Sequence, residues 1–212
     1  MSRWPNFFLI GAGKSGTTSV YHYLKQHPQI FMSPVKEPKY FALGGRELNF
    51  TGPGDERIVP ETKTAETDYL ELFRDAGDEP VLGEASTIYL GDIDGVASRI
   101  SDRSPDARIA AILRHPADRA YSAYMHLRRD GFETLPSFEE ALTAEPERIR
   151  QGYYYHWHLQ SRGLYARGLA QWFDVFPRDR IRVYLFDDLR ASPSDLLTDL
   201  FRFLEIDDSF QP

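Results

Sequence analysis

The sequence predicts an α/β fold in which helices cover both faces of a central parallel sheet. Three observations lead there. Short apolar runs, Phe7 to Ile10 and Arg108 to Leu113, read as strands buried on both sides. Segments with helical spacing of apolar residues alternate with those runs. A glycine-rich turn, Gly11 to Thr18, joins the first strand to the first helix. A length of 212 residues suits one domain.

Taken in order, Ser19 to His27 reads as a helix carrying Val20, Tyr23 and Leu24, closed by Pro28. Ile30 to Met32 is a second apolar segment, broken by Pro34. Residues 44–65, rich in Gly, Pro, Thr and charge, read as a long surface loop of the kind that serves as a lid or mobile segment. Thr67 to Ala76 reads as helix, Val81 to Gly83 as strand and Ile93 to Ile100 as helix. Ala117 to Arg129 follows Pro116 as a helix. Ser137 with Glu140 three residues on forms a capping box that opens another. Leu164 to Phe176 places Leu169, Trp172, Phe173 and Phe176 on one helical face. Arg180 to Phe186 alternates as a strand. Ser192 is expected to cap a last helix with Pro193 at its first position.

Composition excludes several classes. The hydrophobic fraction of 42% supports a packed core and argues against disorder. With no Cys there is no disulfide framework, no cysteine-ligated metal and no thiol nucleophile. The net charge of −7 argues against general binding of nucleic acid or acidic membrane. Phe7 to Ile10 is too short to span a bilayer, and almost no basic residue precedes it. The expectation is a cytoplasmic protein without stable membrane insertion, its oligomeric state open.

In parallel sheets ligands bind at the carboxyl ends of the strands. There the first strand runs into Gly11-Ala12-Gly13-Lys14-Ser15-Gly16-Thr17-Thr18. Glycines let backbone N–H groups converge on one anion, a helix N-terminus adds partial positive charge, and Lys14 adds a full one. The ATP/GTP loop needs four residues between its first Gly and Gly-Lys-Ser/Thr. Counting back from Gly13 reaches Phe8, inside the strand, so this loop is shorter. A nucleotide hydrolase would also end a neighbouring strand with a magnesium-binding Asp. Here that strand ends in Arg114-His115-Pro116. Arg114, with Ser122 in the following helix, suggests a second anion held without metal. Asp118 and Arg119 read as surface charges, and Tyr121 and Tyr124 as core. His156-Trp157-His158 lacks a third ligand and reads as non-metal.

The loop Gly13-Lys14-Ser15-Gly16-Thr17-Thr18 and the later Arg114-His115-Pro116-Ala117-Asp118-Arg119-Ala120-Tyr121-Ser122 resemble sulfotransferases that use 3′-phosphoadenosine 5′-phosphosulfate (PAPS), closest to the bacterial and heparan sulfate type. The likeness continues through Lys36 to Phe41, Gly83 to Thr87, and Arg162 to Leu189. It implies a P-loop-like three-layer sandwich. It implies that Lys14 contacts the bridging oxygen, that Ser15, Gly16, Thr17 and Thr18 hold the 5′-phosphate, and that Arg114 and Ser122 hold the 3′-phosphate, with no metal required. Glu37 matches the Glu-x-x-Tyr-Phe context of a general base. Glu84 and Ser86, at a strand end, and Tyr155 and Trp157, in an aromatic cluster, are expected to border a carbohydrate or small-molecule acceptor; helix packing is the other reading of the cluster. Some heparan-type enzymes carry Lys where Ala85 stands, so a highly sulfated acceptor is less expected. The expectation is one sulfotransferase domain over 1–212; the family's basic C-terminal segment, which closes over the nucleotide, is not evident before Pro212, and whether this member lacks it or it lies beyond residue 212 stays open. The competing readings are a P-loop kinase or NTPase, and a nucleotide-binding module without transfer.

Overall fold

The computed structural model describes residues 3–91, 93 and 95–212. Its strands are β1 (Phe7–Gly11), β2 (Ile30–Met32), β3 (Val81–Ala85), β4 (Arg108–Leu113) and β5 (Ile181–Leu185). They pair in parallel in the order β2-β3-β1-β4-β5. The helices are α1 (Thr17–Leu24), α2 (Tyr40–Leu43), α3 (Glu66–Glu71), α4 (Val96–Arg103), α5 (Pro116–Arg129), α6 (Phe138–Arg150), α7 (Tyr165–Val175), α8 (Phe186–Ala191) and α9 (Pro193–Leu204).

Alternation along the strands builds the three layers. Phe8, Ile10, Leu82, Ile109 and Ala111 face one side, where they meet Tyr69, Ile100, Trp172 and Phe176 of the α3, α4 and α7 region. Phe7, Leu9, Val81, Ala110 and Ile112 face the other, against Val20 and Leu24 of α1 and Leu196, Leu200 and Phe201 of α9. Each fully buried Phe or Leu contributes roughly 1.5–3 kcal/mol over leaving it in water. β1 is central, with Phe7 opposite Gly83 on one side and Arg108 on the other. The chain winds to one side of β1 for β2 and β3, then crosses for β4 and β5. The loop after β1 therefore sits at the switch point of the sheet.

A smaller cluster packs α5 on α6 through Ala120, Ala123, Tyr124, Leu127 and Ala141, with Trp157 and Leu159. Arg119 belongs to this buried stripe: it is 0% exposed, and its guanidinium donates to the Leu159 carbonyl. The surface position expected for it is wrong. Arg119 and Ala123 lie one turn apart on the same helix face. Tyr121, expected in the core, is 51% exposed.

Other boundaries move for local reasons. α1 starts at Thr17, directly after Gly16, so Thr17 and Thr18 belong to the helix rather than the loop. After α3 the chain tightens into i→i+3 bonds from Leu72 to Ala76 instead of continuing as α-helix. α4 begins at Val96, after Gly95 turns the chain at φ 76°; Ile93 lies outside it and Asp94 outside the described residues. Phe186 opens the short helix α8 rather than ending β5. Ser137 accepts from the Glu140 N–H at 3.1 Å as a cap should. Ser192 holds the N-cap position of α9 without a side-chain cap bond.

The 44–65 loop is tied down at Asp55. This buried carboxylate accepts from Gly52 N–H at 2.8 Å, Tyr154 N–H at 2.7 Å and the Trp157 indole N–H at 3.1 Å. Asp55→Ala strands those donors, so we expect unfolding stability to fall by about 2–4 kcal/mol, read from urea denaturation midpoints.

Candidate active site

Loops from the carboxyl ends of β1, β2 and β3 converge on a cleft of about 580 Å³. The loop after β1 is fixed to β4 by the Ala12 N–H, which donates to the Ile112 carbonyl at 2.8 Å. Gly16 (φ 84°) starts α1, and any side chain there would run into Leu189 and Phe186. A side chain on Gly13 would collide with the Arg162 guanidinium, which lies across the loop. Lys14 holds a left-handed backbone at φ 69°.

Gly13, Lys14, Gly16, Thr17 and Thr18 line the cleft. Ser15 does not; it is buried beside Tyr165. Burial depresses the Lys14 pKa, and the neighbouring cations Arg129, Arg162 and Arg114 depress it further against Asp130 alone. Lys14, Arg114 and Arg162 form no ion pair among the described residues. The Arg114 guanidinium donates to the Lys14 carbonyl at 3.2 Å and lies 4.8 Å from the Phe186 ring centroid. This excess of unpaired positive charge fits a polyanionic ligand such as PAPS. Ser122, half-buried on α5, lies outside the cleft lining, as does Arg114.

Glu37 enters the cleft from the segment between β2 and α2. Its backbone is left-handed, φ 70°, and its N–H donates to the Ala85 carbonyl at 2.9 Å. One carboxylate oxygen accepts from Thr87 N–H at 2.9 Å and the other from the Lys36 ammonium at 3.2 Å. Lys39 is left-handed as well (φ 59°) and lines the cleft, yet it is almost fully buried and its Nζ has no partner. Burial lowers its pKa, against Glu37, Glu61 and Glu84.

Of the acceptor residues expected from sequence, Tyr155 lines the cleft, with Arg162 stacked 4.4 Å from its ring centroid. Trp157 does not: it is 1% exposed, facing Asp55 and packed in the α5–α6 cluster. Glu84 and Ser86 are wholly buried beneath the Glu37 segment rather than beside the acceptor space. They point into the core because Glu84 alternates with Gly83 and Ala85 on the face of β3 that carries Leu82.

The reading from sequence gave no site role to His126, Glu61 or Arg162 of the lining, although Arg162 lay in a quoted motif. His126 lies one helical turn beyond Ser122, a spacing that could have found it. Its Nδ1 is 2.7 Å from the Arg129 guanidinium, and burial followed by Lys14 lowers its pKa. His156 Nε2 stands 3.1 Å from Asp55 Oδ1. A larger groove of about 780 Å³ runs beside β2, past Ile30, Met32 and Asp75, but neither Lys14 nor Glu37 reaches it. The cleft at the strand ends, with a cation-rich end and a carboxylate end, is the one equipped for group transfer.

A family model described as "Sulfotransferase family" matches residues 62–211. The bifunctional heparan sulfate N-deacetylase/N-sulfotransferase 2 of Bos taurus is 28% identical over 221 residues, covering 96% of this chain and 22% of that protein. The corresponding bifunctional enzyme of Drosophila melanogaster is 29% identical over 217 residues, covering 95% and 20%. The chain thus spans about a fifth of the length of these curated relatives. Among solved structures, a sulfotransferase from Alicyclobacillus acidocaldarius matches with a TM-score of 0.94 at 44% identity, over 99% of this chain and 84% of that one. Mouse sulfotransferase SULT7A1 complexed with PAP shares the fold, with a TM-score of 0.57 at 15% identity over 95% and 59%. With the family model spanning most of its length, the chain belongs to the sulfotransferase family.

Proposed function

We propose that this protein transfers a sulfuryl group from PAPS to a hydroxyl or amine of a carbohydrate or small-molecule acceptor, with Glu37 as general base. One observation carries the reading. The cation-rich Lys14 loop and the Glu37 carboxylate open onto the same cleft without pairing with each other. The PAP named in the SULT7A1 structure and the N-sulfotransferase relatives are consistent with this donor and acceptor chemistry.

When bound, the donor supplies an activated sulfur–oxygen bond with a phosphate leaving group. Lys14 neutralises charge on the bridging oxygen as that bond breaks. The N-terminus of α1, with Thr17 and Thr18, holds the 5′-phosphate. Arg114 and Ser122 are assigned the 3′-phosphate, beyond the cleft lining. Glu37 takes the proton of the acceptor as its oxygen or nitrogen bonds to sulfur. The bonds from Thr87 N–H and Lys36 fix the Glu37 carboxylate, so its orientation is set before the acceptor arrives. Tyr155 offers a ring against which a sugar or aromatic acceptor can stack.

Calorimetric titration with PAP is expected to show tight binding that magnesium does not alter and ATP does not match; preference for magnesium–ATP would favour a kinase or NTPase instead. Lys14→Ala is expected to lower kcat by about 10²–10³-fold and to weaken PAP binding. Glu37→Gln is expected to lower kcat by about 10²–10⁴-fold with PAP affinity unchanged, since the base touches the acceptor and not the nucleotide.

A further inference from the structure

The segment from Glu37 to Phe41 is suspended from the stretch Ala85 to Tyr89 by four bonds. Glu37 N–H donates to the Ala85 carbonyl at 2.9 Å, Lys39 N–H to Ser86 Oγ at 3.0 Å, and Phe41 N–H to the Tyr89 hydroxyl at 3.1 Å; Thr87 N–H donates to the Glu37 carboxylate at 2.9 Å. Two of these bonds end on hydroxyl oxygens, which accept only if their own protons are placed elsewhere. Glu84 provides that place. It is wholly buried, accepts from Ser86 Oγ at 2.6 Å and from the Tyr69 hydroxyl, and lies against the Tyr89 hydroxyl. No cation reaches hydrogen-bond distance of it among the described residues.

We propose that Glu84 is a positioning residue: as a carboxylate it draws the hydroxyl protons of Ser86 and Tyr89 downward, freeing their lone pairs to hold the Lys39 and Phe41 amides and so the left-handed backbone that presents Glu37. A carboxylate offers only acceptors, whereas a protonated acid or an amide offers a donor to one of three groups that also donate. The mismatch then passes up through Ser86 to the Lys39 amide. Glu37 and Lys39 both have φ between 59° and 70°, a conformation that non-glycine residues keep only when surrounding bonds impose it.

Titration follows from the same geometry. Burial pushes the Glu84 carboxyl up to about 7, with the hydrogen bonds from Ser86, Tyr69 and Tyr89 opposing and the charge of Glu37 adding to it. The groups facing it are Tyr69 on the α3 side, Tyr89 and Ser86 after β3, and Glu37 and Lys39 above. Acid should therefore loosen the segment as Glu84 takes up its proton.

The proposal rests on Glu37 as the base, but its first test does not. Amide hydrogen exchange of the 36–43 segment, followed by mass spectrometry at one pH, should be roughly ten- to hundred-fold faster in Glu84→Gln and Ser86→Ala than in the parent protein. PAP affinity should stay within about twofold in both, because the Lys14 loop is separate. The parent's kcat with PAPS and an acceptor should fall on the acid side of about pH 7, and Glu84→Gln should be uniformly slow and lack that fall. Unchanged exchange, or parental kcat in Glu84→Gln, overturns the proposal. If Glu84→Gln does not fold, Ser86→Ala and Tyr89→Phe decide it: parental exchange in both overturns it, and loosened exchange with PAP binding intact supports it. Absence of any PAPS-dependent turnover in the parent protein counts against the proposed function while leaving the exchange result to judge Glu84.

Discussion

The cleft works only while its opposite charges stay apart. Lys14 and Glu37 line one space, and a direct pair between them would neutralise both the cation-rich loop and the carboxylate proposed as base. The fold prevents this by giving Glu37 closer partners, Lys36 and the Thr87 amide, and by surrounding Lys14 with Arg114, Arg129 and Arg162. Coulomb repulsion among four cations in a half-buried loop is unfavourable until an anion enters. The loop is thus complementary to a ligand with more than one negative charge.

Keeping the charges apart requires backbone that ordinary strand–helix turns do not provide. Of the four non-glycine residues with positive φ among the described residues, three are Lys14, Glu37 and Lys39. Such conformations cost of order 1–3 kcal/mol each and persist only where the surroundings impose them. The sheet does so from two sides. β4 fixes the loop after β1 through Ile112, and the stretch after β3 fixes the Glu37 segment through Ala85, Ser86 and Thr87. Both follow from β1 lying between β3 and β4, which places the strand ends that carry the site next to each other.

What could be read from the sequence divides along the range of the interactions. The strands and the Lys14 loop rest on local apolar runs, glycine spacing and the residue types at strand ends, all visible in the linear chain. A short motif singled out Glu37, which the fold brings to the cleft beside the Lys14 loop. Glu84, Ser86 and Trp157 were misplaced because strand ends and aromatic clusters border active sites only on the face that turns outward, and facing is decided by tertiary packing. Glu84 lies on the Leu82 face of β3 and Trp157 is claimed by Asp55, about a hundred residues earlier in the chain. Arg162 could be quoted as part of a motif, but not assigned to Gly13. Their contact joins segments after β1 and before α7, and nothing local encodes it.

The buried ionisable groups show what this arrangement costs the fold. Glu84 has a raised pKa, so its ionised form is disfavoured in the folded state. Below the unfolded carboxyl value of 4.5 that cost is absent; it grows as pH rises towards about 7 and is complete above. Lys14 and Lys39 have depressed pKa values, so their cost is present at neutral pH and disappears only when the pH exceeds the value for an unfolded lysine. At neutral pH all three weaken the fold together. A core built for stability alone would replace them with apolar side chains, since exchanging buried charged groups for well-packed hydrophobic ones is often neutral or stabilising. Lys14 and Lys39 line the cleft and Glu84 lies beneath the Glu37 segment, so the instability is placed beside the space where charge can be used. A bound polyanion relieves the cations that line the cleft, Lys14 and Lys39, whereas Glu84 lies outside the lining. Ligand binding therefore offsets the cost of the buried cations and leaves that of Glu84, whose charge is met by the hydroxyls of Ser86, Tyr69 and Tyr89.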